Sequence, residues 1–265
     1  MPRPYWSDLV TTDFAAPDVS SWIAVLPIAA IEQHGPHMPL GTDTIIADGH
    51  VAAAVARLPA SLPAVFLPTQ AVAWSVEHVS SPGTLTLDWD TVAQVWLEIG
   101  ASVARAGLRK IVFVNAHGGN VPIMDLVTRE LRIRHDMLAV ATSWSRFGRP
   151  DGLFDPDERR LGIHAGDVET SMVLALRPDL VRTEALVEFP SEQARCEAEF
   201  RHLRAYGPHA FGWKAQDLNP TGAVGDPRRA TAEKGRAAID HAVTGFLELL
   251  AEVHAFDPAR LWREA

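Results

Sequence analysis

Apolar residues along this chain gather into short unbroken blocks, separated by longer stretches of helical period. Trp22-Ile23-Ala24-Val25-Leu26-Pro27-Ile28 carries no polar residue, the pattern of a strand covered on both faces. Ala64-Val65-Phe66-Leu67, Ile111-Val112-Phe113-Val114 and Leu138 to Thr142 repeat that pattern. Between them, Ile45 to Leu58, Asp88 to about Ala106 and Asn120 to Arg134 read as helices. Pro59 halts the first and Gly107 the second, while Asp88 and Asn120 stand where N-caps belong. Buried strands alternating with helices predict βαβ units in a mostly parallel sheet, covered by helices on both sides. Beyond residue 145 the pattern loosens. Asp167 to Leu176 reads as a helix, Phe189 to Arg229 is mixed with glycine-marked loops, and Thr231 to Val253 is an amphipathic helix. No repeat or linker interrupts the chain, so residues 1–265 read as a single α/β domain.

Composition narrows the partners. The 265 residues hold 24 Lys+Arg against 33 Asp+Glu, a net charge of −9, with 47% hydrophobic and 22% charged residues. That is an ordinary globular balance. It contains no basic block for nucleic acid to hold. Cys196 is the single cysteine, which leaves no internal disulfide framework and no thiolate-built metal site. The opening Pro2-Arg3-Pro4-Tyr5-Trp6 leads into no apolar leader. The longest apolar stretch, Trp22 to Ile31, contains Pro27 and falls short of the ~20 residues of a membrane helix. A soluble, cytoplasmic protein without membrane partners is expected.

Three segments concentrate metal-capable side chains. The first, Glu32-Gln33-His34-Gly35-Pro36-His37 through Asp43, follows the first strand. In extended chain, Glu32 and His34 point to one side, and the Gly/Pro turns allow Asp43 to return toward them. The second, Asn115-Ala116-His117-Gly118-Gly119-Asn120, lies directly past the third strand, where parallel sheets bind ligands. A phosphate-cradling loop is the competing reading of those glycines, although no Lys follows. The third is His164-Ala165-Gly166-Asp167-Val168-Glu169-Thr170. Complementing a helix dipole accounts for Glu169 alone, but not for its neighbours. A sulfur-free set of His, Asp and Glu suits Zn, with Mn or Fe as alternatives. Two such cations sharing one hydroxide form a hydrolytic pair, and only a carboxylate can bridge them.

The succession of these segments resembles the creatininase (creatinine amidohydrolase) family, from about Trp22 to Leu180 in unchanged order, with a further likeness over Gly222 to Gly235. The resemblance implies a three-layer αβα fold, often a hexameric homo-oligomer, and a binuclear metal centre that hydrolyses a small-molecule amide. Carried over by position, Glu32 and His117 hold one metal, His34 the other, and Asp43 bridges. Creatininase proper has a Tyr and a Glu ligand where this chain has Gly118 and Gly119. Members with His-Gly-Gly-Asn use the third-segment Glu instead, which is Glu169 here. The departure counts against creatinine as substrate and leaves a lactam-type amide, with a formamide or a processed peptide as the family's other options. His164 matches the third-segment His that contacts substrate. It is the expected proton donor, with His37 as the alternative, although Arg160-Leu161 replaces the Trp-Asp pair expected before it. Phe211 and Trp213 are expected either to cover the pocket or to pack at an interface. A phosphate- or nucleotide-binding protein without catalysis is the competing class.

Overall fold

The four apolar blocks are the four strands of one sheet: β1 (Ile23–Ile28), β2 (Ala64–Phe66), β3 (Lys110–Asn115) and β4 (Leu138–Ser143). A computed structural model describes residues 2–261. Met1 and residues 262–265, which the single-domain reading includes, lie outside the described residues. All pairings are parallel, in the order β2-β1-β3-β4. Ile28 stands opposite Asn115, and Asn115 opposite Ser143, so the carboxyl ends of the three longer strands line up along one edge. Parallel neighbours require crossovers, supplied by α1 (Thr42–Ala56), α2 (Trp89–Arg105) and α3 (Val121–His135). The strand order reverses between β1 and β3, the place where doubly wound sheets open a crevice.

Strand alternation divides the core into two layers. Ile23, Val25, Val112 and Val114 face α1, α5 (Asp167–Leu176) and α8 (Ala232–Ala255). Ala24, Leu26, Ile28, Ile111 and Phe113 face α2 and α3. The result is the expected αβα sandwich. The shorter helices α4 (Pro156–Leu161), α6 (Glu192–Glu199) and α7 (Ala215–Leu218) belong to the loosely patterned half. Lys110, at the start of β3, donates to the carbonyls of Val253, His254 and Phe256 at 2.8, 2.6 and 2.9 Å. It satisfies acceptors that the end of α8 would otherwise leave open. Among the described residues, no helix is long and apolar enough to cross a membrane.

Three local expectations change. Helix α1 starts at Thr42 rather than Ile45, with Gly41 as N-cap, which draws Asp43 into the first turn. Asp88 and Asn120 occupy N-cap positions, yet neither side chain caps its helix. Asn120 instead donates to the Ala29 carbonyl (3.0 Å) and Asn115 Oδ1 (3.2 Å), and accepts from the Trp74 N–H (3.2 Å). It ties three loops together at the strand ends. Thr231, in contrast, caps α8 by accepting from the Lys234 N–H at 3.2 Å.

Helices α5 and α8 meet at Gly235, where a Cβ would overlap the Ser171 carbonyl group and press on Met172 Cα at 2.9 Å. Intrinsic helix propensity favours Gly→Ala by ~1 kcal/mol, whereas backbone overlap in a packed interior costs ~1–3 kcal/mol. Overlap is expected to win. Gly235→Ala should lower stability in denaturant melts, and a stabilised variant would contradict the close approach.

Candidate metal centre

The loop after β1 folds back on itself. The Glu32 N–H donates to the Leu40 carbonyl at 2.9 Å, and Gly35 turns with φ +68°. This closure sets Glu32 and His34 beside the first turn of α1, which presents Asp43. His117 arrives from the end of β3, across the crevice. Glu32, His34, Asp43 and His117 are 0, 1, 2 and 5% exposed. Glu169, in the first turn of α5, completes the group and is partly exposed.

Asp43 sits between two sets of donors. Its Oδ1 lies 3.3 Å from His34 Nε2, and its Oδ2 lies 3.4 Å from His117 Nδ1. His117 Nδ1 is also 3.2 Å from Glu32 Oε2, and His34 Nε2 is 3.8 Å from Glu169 Oε2. Glu32, Asp43 and His117 therefore converge on one point, while His34, Asp43 and Glu169 converge on another. Either trio could hold a cation. A third grouping, Glu32 with His34 and His164, overlaps both.

Backbone carbonyls choose the ring tautomers. His34 Nδ1–H donates to the Glu32 carbonyl at 3.1 Å, and His117 Nε2–H donates to the Trp74 carbonyl at 3.1 Å. Each neutral ring thus turns a bare nitrogen toward carboxylate oxygens. Glu32 Oε1, His34 Nε2 and Asp43 Oδ2 are buried without hydrogen-bond partners. Lone pairs facing lone pairs in a dry site demand a proton or a metal ion between them. The donor chemistry, nitrogen and oxygen without sulfur, fits a divalent transition metal.

The ionisation of the group follows from that demand. Burial alone would lower His34, but Asp43, Glu169 and Glu32 override it and hold the imidazole at about 9. His117 is buried too, yet Glu32 and Asp43 keep it well above the usual histidine value. Against its own burial, Asp43 is held well below the usual carboxylate range by His34 and His117. Burial pushes Glu169 up to about 7, His34 opposing and Asp43 adding to the rise.

A second ring of residues, absent from the sequence reading, comes from the segment after β2. The Ser75 hydroxyl donates to Glu32 Oε2, and His78 Nε2 lies 3.4 Å from Glu32 Oε1. Glu77 Oε1 stands 3.4 Å from His117 Nε2. A Cβ on Gly119 would overlap that Glu77 carboxylate and the His117 ring, so a larger residue there would displace Glu77 from this contact. Gln33 donates to His78 Nδ1 (2.8 Å) and to the Gly222 carbonyl (2.8 Å), which leaves His78 Nε2 to carry the proton toward Glu32. The available signal was Ser75-x-Glu77-His78 itself, a polar cluster in the loop that follows a parallel strand.

A cavity of ≈ 330 Å³ opens onto the group, walled by His78, His164, Tyr206 and Trp213 among others. His164 lies in this wall. Its Nε2–H donates to the Gln33 carbonyl at 2.7 Å, its Nδ1 is 3.7 Å from Glu32 Oε1, and burial beside His34 and His78 keeps it neutral, well below the usual value. His37 does not reach the cavity. It stacks on Phe189, and its Nε2–H donates to the Ala165 carbonyl at 3.0 Å. Trp213 lines the cavity and donates to the Ala205 carbonyl at 2.7 Å, whereas Phe211 packs in a small apolar cluster beside it.

Comparison with known proteins converges on one family. The creatininase family, described as creatinine amidohydrolase, matches residues 7–250. The mycofactocin precursor peptide peptidase of Mycobacterium ulcerans is 36% identical over 224 residues, covering 82% of this chain and 80% of the relative. The creatinine amidohydrolase of Pseudomonas putida is 27% identical, covering 87% and 89%. A solved creatininase variant of Zn-Zn type superposes with a TM-score of 0.74 at 25% identity, over 95% of this chain and 98% of that one.

The raised histidines predict how the metal-free protein responds to pH. His34 titrates near 6.5 unfolded and about 9 folded. Its favourable contribution is therefore complete below 6.5 and lost as pH rises through about 9. Glu169, raised to about 7, acts in the same direction at lower pH, and Asp43 stays ionised throughout. Melting the chelator-treated protein between pH 6.5 and 9 should give a falling Tm. A flat or rising profile would remove the case for protons held between these groups.

Proposed function

The chain belongs to the creatininase family, whose members hydrolyse carbon–nitrogen bonds, and on that premise we propose that it hydrolyses an amide with two divalent cations, zinc first, held on either side of Asp43. One observation carries this reading: the two oxygens of a single buried carboxylate face the bare nitrogens of two different histidines. Glu32 and His117 complete one site, and His34 and Glu169 the other. When bound, such a pair polarises an amide carbonyl and supplies an activated water. A phosphate-binding reading fails on charge, because Glu32, Asp43 and Glu169 would all face the anion.

The protein's own groups handle protons and position. His164 Nδ1 is bare and lies at the cavity wall, so it can take a proton at that atom and return it to the departing nitrogen. His37 is a positioning residue. It holds the carbonyl of Ala165, whose φ of +61° aims its N–H at Glu169 Oε2 at 2.6 Å. Tyr206 and Trp213 line the cavity and take up space that water would otherwise fill. The substrate favoured here is a linear amide rather than a lactam. The cavity wall at Gly118 carries no side chain, and the relative at 36% identity is a peptidase by name.

Metal analysis tests the bridge. The purified protein should carry about two equivalents per chain. Asp43→Ala should lose both, whereas His34→Ala and His117→Ala should each retain about one. Equal loss in all three would overturn the assignment of Asp43.

His164→Asn should keep full metal occupancy and lose ~10²–10⁴ in kcat on a linear N-acyl amide. Loss of metal in that variant would make His164 a ligand, and near-normal turnover would deny it a part in the chemistry.

A further inference from the structure

Beside the metal centre lies a second cavity, of ≈ 210 Å³, which shares Ala116, His117, Gly118 and Glu169 with the first as a common wall. Its other side is formed by His50, Ser143, Trp144 and Arg149, among others. Three of these residues are buried and carry polar atoms with no partner: His50 Nε2, Ser143 Oγ and Trp144 Nε1. No hydrogen bond or ion pair with a described residue engages the half-buried Arg149 guanidinium, although Glu169 and Glu158 act on it through space. A purely structural role would leave a partner visible for at least some of these groups, because buried polar atoms are almost always paired. Here the residues that carry these groups line one small space next to the proposed reaction site.

Their chemistry defines what would satisfy them. His50 Nδ1–H donates to the Ile46 carbonyl at 2.8 Å, so its Nε2 is an acceptor, and its ring stacks on Trp144 at 4.5 Å. Ser143 and Trp144 offer an O–H and an N–H. Arg149 offers a planar fork of donors suited to a carboxylate. Two guanidiniums line the cavity, Arg149 and Arg146, whose Nη1 donates to the Ala141 carbonyl at 3.1 Å, against one carboxylate, Glu169. That balance suits one negative charge, and the carboxylates of the metal centre disfavour a dianion such as a phosphate monoester. Gly118 lines both cavities, and a Cβ there would meet nothing within 4 Å, so no side chain divides them at that point.

We propose that this cavity is a carboxylate subsite, and that the substrate is an acidic amide: an N-acyl amino acid or the C-terminal residue of a peptide, its carboxylate on Arg149 and its scissile carbonyl at Asp43. Ser143 and Trp144 donate to the same carboxylate, and His50 Nε2 accepts a hydroxyl or N–H beside it. This inference rests on the amide-hydrolase reading, and it extends that reading from reaction to substrate class.

Matched pairs of N-acetyl amino acids and their carboxamides test it on the zinc-loaded protein. Wild type should favour the free acid in kcat/KM. Arg149→Gln should lower the acid-to-carboxamide ratio about tenfold, through KM, because a charge-assisted hydrogen bond is worth that much. Arg149→Lys should restore part of it. A calorimetric titration of N-acetylglycine serves as the second arm, with its Kd rising about tenfold in Arg149→Gln and in parallel with KM. Failure of wild type to hydrolyse either member would sink the amide-hydrolase reading, while the titration would still decide whether the cavity holds a carboxylate. Unchanged acid binding in Arg149→Gln would place the carboxylate on the cations instead. Equal effects on acid and carboxamide, or tighter binding of phenyl phosphate than of the acid, would overturn the subsite.

Discussion

At the ends of β1 and β3 the chain buries more negative charge than it balances. Glu32, Asp43 and Glu169 meet in a space closed to solvent on most sides, and the two histidines among them have already used one ring nitrogen each on a backbone carbonyl. In a low-dielectric interior such crowding is sustained only by a positive charge placed between the oxygens. Protons on His34 and His117 are the cheaper remedy, and divalent cations the stronger one. The surrounding polar ring serves the same end. Ser75 holds Glu32 Oε2, His78 Nε2 stands 3.4 Å from Glu32 Oε1, Gln33 sets the His78 tautomer, and the Trp74 carbonyl sets that of His117.

The sheet makes this crowding tolerable because it fixes the backbone before the side chains meet. Register places Ile28 against Asn115, so the loops carrying Glu32 and His117 leave the sheet side by side. Asn120 then binds the loops after β1, β2 and β3 to one another. From the far side, Glu158 accepts the N–H groups of Asp167 and Asp226 at 2.7 and 2.8 Å, which anchors the start of α5 and with it Glu169. Glycine at 119 matters through the space it leaves. The Glu77 carboxylate enters that space and reaches His117 from behind.

Six of the buried polar atoms without partners gather in two neighbouring sets with different meanings. Those of Glu32, His34 and Asp43 face one another and call for positive charge. Those of His50, Ser143 and Trp144 belong to residues that line a cavity with Arg149, for which a negative, hydrogen-bonding ligand is proposed. His117 and Glu169 belong to the wall between the two. A cation-holding site and an anion-holding site so close together would pull one substrate from both ends.

Much of this was legible without coordinates. Unbroken apolar runs have one physical outcome, strands covered on both faces, and their alternation with helices dictates parallel crossovers. Glu32, His34, Asp43, His117 and Glu169 announce themselves because such residues at strand ends and helix starts are costly without a purpose. Caps were less legible. Asn120 looked like one from its position, but tertiary neighbours offered its amide better partners. Sequence could not reveal Ser75, Glu77 and His78 as neighbours of Glu32 and His117, because the contact joins loops far apart in the chain. It could not reveal that His37 faces Ala165 rather than the cavity, or that Arg149 lacks a partner beside three other unsatisfied groups. Residue type and local period determined the layers and the kind of chemistry. Which polar atoms remain unpaired, and therefore what the site can hold, was decided only by packing, since hydrogen bonds are satisfied across space and not along the chain.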